Sequence, residues 1–246
     1  MLFEIKKFLE SYKTFKRKNA EHENLLRAFN EDFEKYNSMA SIGQVASKEF
    51  FYPCLFDKTR ETLIEPIYFY QDTWAFERIL LKKPYQHVDI GSHHKFVAFL
   101  SKITNLSMVD IRPLSLEMAS INFIKGDILH LPYENETVDS LSSLCVIEHI
   151  GLGRYGDEID PSGSEKAFNE INRILRVGAN FYMSVPIEEI NKVYFNAHRA
   201  FNEEYLLKTL LYNYQVEDRK YIYSTKFSDQ KASGFGVGCY HLIKTN

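Results

Sequence analysis

The chain of 246 residues is poor in the residues that staple small domains: it has only three cysteines, Cys54, Cys145 and Cys239. They are far apart, odd in number and form no C-x-x-C pair. A disulfide scaffold or structural zinc set is therefore not expected, and a reducing compartment is. No apolar run approaches the roughly 18 residues of a spanning helix. Lys6, Lys7 and Glu10 break up any secretory apolar region near the N-terminus, so a cytoplasmic location is expected. Charge of one sign is also lacking. Lys and Arg number 30 against 33 Asp and Glu, for a net charge of -3, and bulk electrostatics does not point to nucleic acid. The fingerprint G-x-G-x-x-G is absent, which counts against a nicotinamide-dependent oxidoreductase. There is no internal repeat and no low-complexity tract. Aromatic residues, by contrast, are plentiful, with 19 Phe and 16 Tyr in a chain that is 45% hydrophobic and 26% charged. That composition builds the core of one medium-sized globular domain.

Leu2, Ile5, Phe8, Leu9, Tyr12 and Phe15 recur at helical steps, and Leu25, Leu26, Phe29, Phe33 and Tyr36 repeat the pattern. This spacing predicts helix over residues 1–36. Lys6, Lys7, Lys13, Lys16, Arg17 and Lys18 make its first half basic. Such a helix can lie on an anionic membrane, or it can pack on its own domain or on a second subunit with the basic face solvated. Homo-oligomerisation through these helices follows from the last arrangement. Residues 37–47 are mostly small and polar, a connection. Pro53 and Pro66 prevent one continuous helix across 50–66, and helical spacing resumes through Trp74, Ala75, Ile79 and Leu80 until Pro84. The expected division is a helical extension, 1–49, and a second domain, 50–246.

Beyond Pro84 strands and helices alternate. Strands are predicted at 86–90, 106–110, 121–124, 138–147, 180–185, 215–223 and 236–244, with helices through Phe96 to Ile103, at 114–119 and at 166–175. The pattern implies an α/β fold whose parallel sheet carries helices on both faces. Ligands bind such sheets beyond the carboxyl ends of the strands. The first strand ends Asp89-Ile90-Gly91-Ser92, where the glycine permits a sharp turn and close approach of a ligand. Asp110, 21 residues after Asp89, ends the second strand and is placed to accept from ribose hydroxyls, or to cap a turn. Asp127 is placed to accept from an adenine amino group, with Ile128 packing on the ring. The fourth strand ends in CVIEHIGLGRYGD, Cys145 to Asp157.

VDIGS, Asp110, GDILHLPYENETVDS, VIEHI and EINRILRVGANFYMSVP stand in an order that resembles class I S-adenosylmethionine-dependent methyltransferases. YFYQDTWA, EHIGLGRYGDEIDPSG and FNAHRAF resemble a little-characterised branch of that superfamily, and the likeness covers roughly Phe50 to Lys244. The resemblance implies a Rossmann-like sheet, mostly parallel with an antiparallel strand near the C-terminus, and S-adenosylmethionine as cofactor. It places Asp89, Gly91, Ser92, Asp110, Asp127, Ile128, Cys145 and Glu148 on the cofactor side. Two departures stand out: His93 replaces the second loop glycine, and Val177-Gly178-Ala179 replaces the usual Pro-Gly-Gly turn. They leave a catalytically degenerate, cofactor-binding or structural protein as the alternative to an enzyme.

Methyl transfer to a hydroxyl needs a base. His149, at the end of the fourth strand, has the right kind of side chain, with His198 as rival; either can equally be a structural histidine. Arg154, in the glycine-rich GLGRYGD loop, suits a phosphate or carboxylate on the acceptor, or braces the loop by pairing with Asp157. Tyr155, Asn196 and Arg199 complete the expected acceptor side. Gly151, Gly153 and Gly156 read as the pliable points of a lid. Cys145 reads as core rather than nucleophile, and no metal is expected. The acceptor expected is a small molecule, polar or anionic, such as a phosphorylated metabolite or a bacterial surface-carbohydrate precursor.

Overall fold

Residues 2–39 contain neither glycine nor proline, and they form one unbroken helix, α1 (Leu2–Met39), longer than its apolar stripe alone predicts. The computed structural model describes the backbone of residues 2–246 and the side chains of residues 13–246. The predicted stripe of Leu2, Ile5, Phe8, Leu9 and Tyr12, with Lys6 and Lys7, lies outside the described side chains. After α1 the chain doubles back. The Asn37 amide accepts from the Ala46 N–H at 2.8 Å and donates to its carbonyl at 3.0 Å. Phe51 then meets Phe29 and Phe33 edge-on, with centroids at 5.0 and 4.7 Å. Residues 50–63 thus pack with the helix, and the first compact unit ends at Leu63, with the second spanning Ile64–Asn246. Among the described residues no helix is long and apolar enough to cross a membrane.

The second unit opens with α2 (Pro66–Lys82). The Glu65 side chain caps it by accepting from the Tyr68 N–H, and Pro66 takes the first turn, where no donor is missed. Next come β1 (Gln86–Ile90), α3 (His94–Leu100), β2 (Asn105–Asp110), β3 (Ile121–Lys125), β4 (Val138–Leu144), α4 (Gly163–Ile174) and β5 (Leu175–Glu188). A small hairpin of β6 (Lys192–Tyr194) and β7 (His198–Asn202) precedes β8 (Tyr214–Tyr223), β9 (Lys226–Ser228) and β10 (Gly236–Lys244). The sheet runs β3-β2-β1-β4-β5-β10-β8-β9. Its members from β3 to β5 are parallel, and β10 lies antiparallel between β5 and β8.

Alternate strand residues face opposite layers. Phe181 and Met183 join Phe168 and Ile171 of α4 in one core cluster, while Tyr182 joins Trp74, Ile79, Phe96 and Leu100 of α2 and α3 in the other. The order reverses at β1 and β4, which is where such sheets open a crevice. Three local expectations change. Residues 114–119 form no helix: the stretch is too short to nucleate without a face to bury, and Leu116 is left 81% exposed. β5 continues past Pro186, because a proline removes one donor and the ladder to β10 holds on both sides of it. The FNAHRAF segment is the β6–β7 hairpin, with β7 parallel to the end of β5.

Candidate active site

The turn after β1 is held from beneath. Gly91 has φ +65°, and a Cβ on it would come 3.1 Å from Val146 Cγ1 and 3.7 Å from Asp110 Oδ2, so the turn sits tightly between the ends of β4 and β2. Asp89 is wholly buried; its Oδ1 accepts from the Ser92 N–H at 3.1 Å and its Oδ2 from the Ser142 hydroxyl at 2.6 Å. The Ser92 hydroxyl accepts from the Leu144 N–H at 3.0 Å. Both side chains, expected on the cofactor side, thus brace the turn from within. His87 extends this buried line, with Nδ1 2.7 Å from Ser140 Oγ and Nε2 2.9 Å from Ser142 Oγ. Burial pushes His87 down to about 3 and Asp89 up to about 6.

Asp110 closes β2 with Oδ1 accepting from the Arg112 N–H at 2.8 Å and Oδ2 toward the Gly91 turn. Asp127 is exposed, its Oδ1 accepting from the Leu129 N–H at 2.9 Å. Ile128, only 5% exposed, belongs to the core, so it offers little surface for a ring to stack on.

At the end of β4 the chain is strained. Cys145 is a non-glycine residue at φ +52°, a conformation that costs about 1–3 kcal/mol and collects at functional sites. Its thiol turns inward, 3.1 Å from Gln71 Oε1, and accepts from the Ser184 hydroxyl at 3.5 Å. The thiol of this expected cofactor-side residue thus points to Gln71 and Ser184, and burial keeps it protonated. Glu148 is 1% exposed, and its Oε2 has no hydrogen-bond partner among the described residues. Burial pushes its carboxyl up to about 8. His149 places Nδ1 2.6 Å from the Ala197 carbonyl. Nδ1 must therefore carry the proton, leaving Nε2 as the basic nitrogen, 3.7 Å from Glu148 Oε1. Burial pushes His149 down to about 4, so the ring is neutral at pH 7.

The loop that follows is clamped at its base. A Cβ on Gly151 (φ +81°) would stand 2.0 Å from the Asp160 carbonyl oxygen, and one on Gly163 would stand 2.5 Å from that of Ile150. Asp157 accepts from the backbone N–H groups of Gly151, Gly153 and Tyr155 at 2.7, 3.2 and 3.2 Å. Burial alone would raise its carboxyl, but these donors hold it below the usual range. Arg199 is 7% exposed and donates to the Ile150 carbonyl, Ser164 Oγ and the carbonyls of Asp160 and Pro161, at 2.5, 3.1, 3.1 and 3.2 Å. The fork of this residue, expected on the acceptor side, ties the two ends of the loop together. Gly151 and Gly163 thus serve close approach at the base of the loop, while Gly156 stands open.

Four expected residues do converge. Arg154 Nη1 donates to the Ala197 carbonyl at 3.1 Å, the same oxygen that receives His149. Tyr155 meets His149 edge-on at 5.5 Å, and the Arg154 guanidinium lies 5.0 Å from its ring centroid. His198 packs on Tyr194 and Phe235 at 4.9 and 5.4 Å, with a buried Nε2 that has no partner among the described residues. Asn196, exposed and at φ +63°, is the corner of the hairpin.

Three neighbours were not anticipated. Tyr68 of α2 lies 4.8 Å from the His93 ring, and Asp72, one helical turn on, has Oδ2 3.8 Å from His93 Nδ1. Burial pushes Asp72 up to about 7. The Arg112 guanidinium lies 4.4 Å from the Tyr155 centroid. The signal for the first two was their i, i+4 spacing in YFYQDTWA, which puts both on one helix face.

Solved structures resembling the protein share its architecture at low identity. The N-methyltransferase NodS of Bradyrhizobium japonicum WM9, in complex with S-adenosyl-L-homocysteine, is 12% identical with a TM-score of 0.52, covering 88% of this chain and 98% of its own. The 1,6-didemethyltoxoflavin-N1-methyltransferase of Burkholderia thailandensis, with its ligand and S-adenosylhomocysteine bound, is 16% identical with a TM-score of 0.50, covering 76% and 94%. The [4+2]-cyclase SpnF is 12% identical with a TM-score of 0.54, covering 71% and 80%. The fold is thus the mixed, mostly parallel Rossmann-like fold of class I methyltransferases. No curated protein matches the sequence. Residues 103–231, just over half of the chain, match the family described as "Caenorhabditis protein of unknown function, DUF268", and the chain belongs to that family.

Proposed function

We propose that the protein is an S-adenosylmethionine-dependent methyltransferase acting on an oxygen of a small polar or anionic acceptor, such as a phosphorylated metabolite or a surface-carbohydrate precursor. The observation that carries this reading is a pair of acidic groups, the half-buried Asp72 in the second turn of α2 and the buried Glu148 just after β4. Asp72 and Glu148 are pushed up to about 7 and about 8 by burial, and Glu148 Oε2 lacks a partner among the described residues. A cofactor with an ammonium and a sulfonium fits such a site, because it brings the positive charge these carboxyls lack. Asp110 would hold the ribose hydroxyls, the Gly91 turn would lie against the cofactor, and Asp127 would accept from the adenine amine. When bound, the cofactor supplies an electrophilic methyl group.

The chain's own work is to position the acceptor and take its proton. His149 Nε2, the nitrogen left basic by the Ala197 carbonyl, accepts the hydroxyl proton as the oxygen takes the methyl. The resulting imidazolium has the Glu148 carboxyl 3.7 Å away. His198 is the rival base, with an Nε2 that has no partner among the described residues. The solved relatives that bind S-adenosylhomocysteine support the reading, while the cyclase shows that the fold alone does not decide the reaction.

Calorimetric titration with S-adenosylhomocysteine tests it. Binding is expected, and Asp110→Ala should weaken it by about 1–3 kcal/mol, the cost of leaving ribose donors unpaired. No heat of binding from a folded protein would refute the cofactor assignment. In turnover, His149→Gln should lower kcat with cofactor affinity unchanged; a larger kcat loss in His198→Gln would move the base to His198.

A further inference from the structure

Resting on the methyltransferase reading, we propose that Arg112 and Arg154, both seated on Tyr155, bind an oxyanion of the acceptor, and that the aromatic rings of Tyr194, His198 and Phe235 receive its apolar body. The acceptor is then a phosphate or carboxylate carried on an aromatic or aliphatic frame. Arg112 enters the site as a residue that its position after the ribose acid does not suggest.

The two guanidinium groups lie 4.4 and 5.0 Å from one ring centroid. Arg112 pairs only loosely with a carboxylate, and Arg154 has none within ion-pair distance among the described residues. The nearest to Arg112 is Asp110, with Oδ1 at 3.9 Å from Nε, and Arg154 gives its described hydrogen bond to a carbonyl. The neighbouring imidazoles of His149 and His198 are both held down by burial and so stay neutral. An anion that reached both guanidinium groups would relieve the repulsion between them. Stacking on the tyrosine pre-orients each planar fork, and such forks match phosphate and carboxylate oxygens in pairs. The Arg112 side chain remains 59% exposed and Arg154 is exposed, so both forks are open to a ligand.

The Ala197 carbonyl that anchors Arg154 belongs to the turn between Tyr194 and His198. From there the surface turns aromatic: Tyr194 is 40% exposed, Phe195 69% and Phe235 45%, with His198 packed on Tyr194 and Phe235. Cations on the loop side and rings on the hairpin side, with His149 beside Arg154, match an amphipathic anion better than a neutral sugar or a bare inorganic ion.

The test is calorimetric titration of the full chain with phenyl phosphate, benzoate, inorganic phosphate and phenol, each with and without saturating S-adenosylhomocysteine. Phenyl phosphate or benzoate should bind at least about tenfold more tightly than phenol and than inorganic phosphate; which of the two is tighter identifies the oxyanion. Arg112→Gln and Arg154→Gln should each weaken that binding about tenfold, whereas Arg154→Gln leaves S-adenosylhomocysteine affinity within about twofold. Phe235→Ala should weaken phenyl phosphate and leave inorganic phosphate unchanged. Equal binding of phenol, or undiminished anion binding in both arginine variants, would overturn the proposal. The arm without S-adenosylhomocysteine reads the anion site even where the cofactor reading fails, so the two failures are distinct.

Discussion

Glu148 shows how one buried side chain can set both chemistry and stability. Its carboxyl is raised from 4.5 to about 8 by burial, so the folded protein binds a proton there that the unfolded chain releases. That contribution to stability is full below pH 4.5 and is lost as pH rises through about 8. His87 and His149, lowered to about 3 and about 4, act in the opposite sense, but their window closes near the ordinary histidine value of 6.5. Between pH 6.5 and 8.5 the raised carboxyls Glu148 and Asp72 therefore dominate among these groups. Urea unfolding should give a stability lower at pH 8.5 than at 6.5 by on the order of 1–2 kcal/mol, and Glu148→Gln should remove most of that slope. An unchanged slope in the variant would show that Glu148 is ionised in the folded state throughout. A cationic cofactor analogue should also reduce the slope, because it favours the ionised carboxyl.

Among the elements, the loop from Gly151 to Gly163 makes the sharpest distinction between glycines. Gly151 and Gly156 both have positive φ, at +81° and +86°, but only Gly151 faces a backbone oxygen, at 2.0 Å from a would-be Cβ, while Gly156 meets nothing within 4 Å. Gly156→Ala should cost about 1 kcal/mol, the backbone penalty alone. Gly151→Ala should cost at least about 2 kcal/mol more, because the clamp must open. Comparing the two by chemical denaturation checks the assignment, and equal costs would mean that the base of the loop is not fixed. Arg199→Leu should behave like Gly151→Ala, since its removal strands carbonyls gathered from both ends of the same loop. The β6–β7 hairpin has a separate task. By offering the Ala197 carbonyl to His149 and Arg154 together, it sets the imidazole tautomer and ties the loop to the sheet.

For the whole molecule, the second compact unit carries its own interior. Both buried clusters are built from residues beyond Ile64, on the two faces of one sheet. A protein consisting of residues 64–246 should accordingly unfold in one cooperative transition and bind S-adenosylhomocysteine with the affinity of the full chain. A non-cooperative or insoluble product would show that the first unit supplies part of that fold's stability. The same two-faced packing explains why a few polar positions matter so much. The line His87, Ser142, Asp89 and Ser92 crosses from β1 to β4 inside the sheet, and its buried groups are satisfied by one another and by Ser140 and the Leu144 N–H.

The alternation of strands and helices and the mostly parallel sheet were legible in the sequence. Periodicity is local, and a parallel sheet brings its carboxyl ends to one side whatever the details of packing. What only the tertiary structure decided is where each polar side chain points. Asp89, Ser92, Cys145 and Arg199 occupy strand ends or loops of the right kind, yet their partners Ser142, Leu144, Gln71 and Pro161 draw them inward. Tyr68 and Asp72 reach the site from a helix that precedes the whole sheet, and Arg112 reaches it through Tyr155. Contacts such as Gln71 with Cys145 or Arg199 with Ile150 join residues far apart in the chain. Their geometry depends on strand register and on how helices seat on the sheet, and no local pattern of residues carries that information.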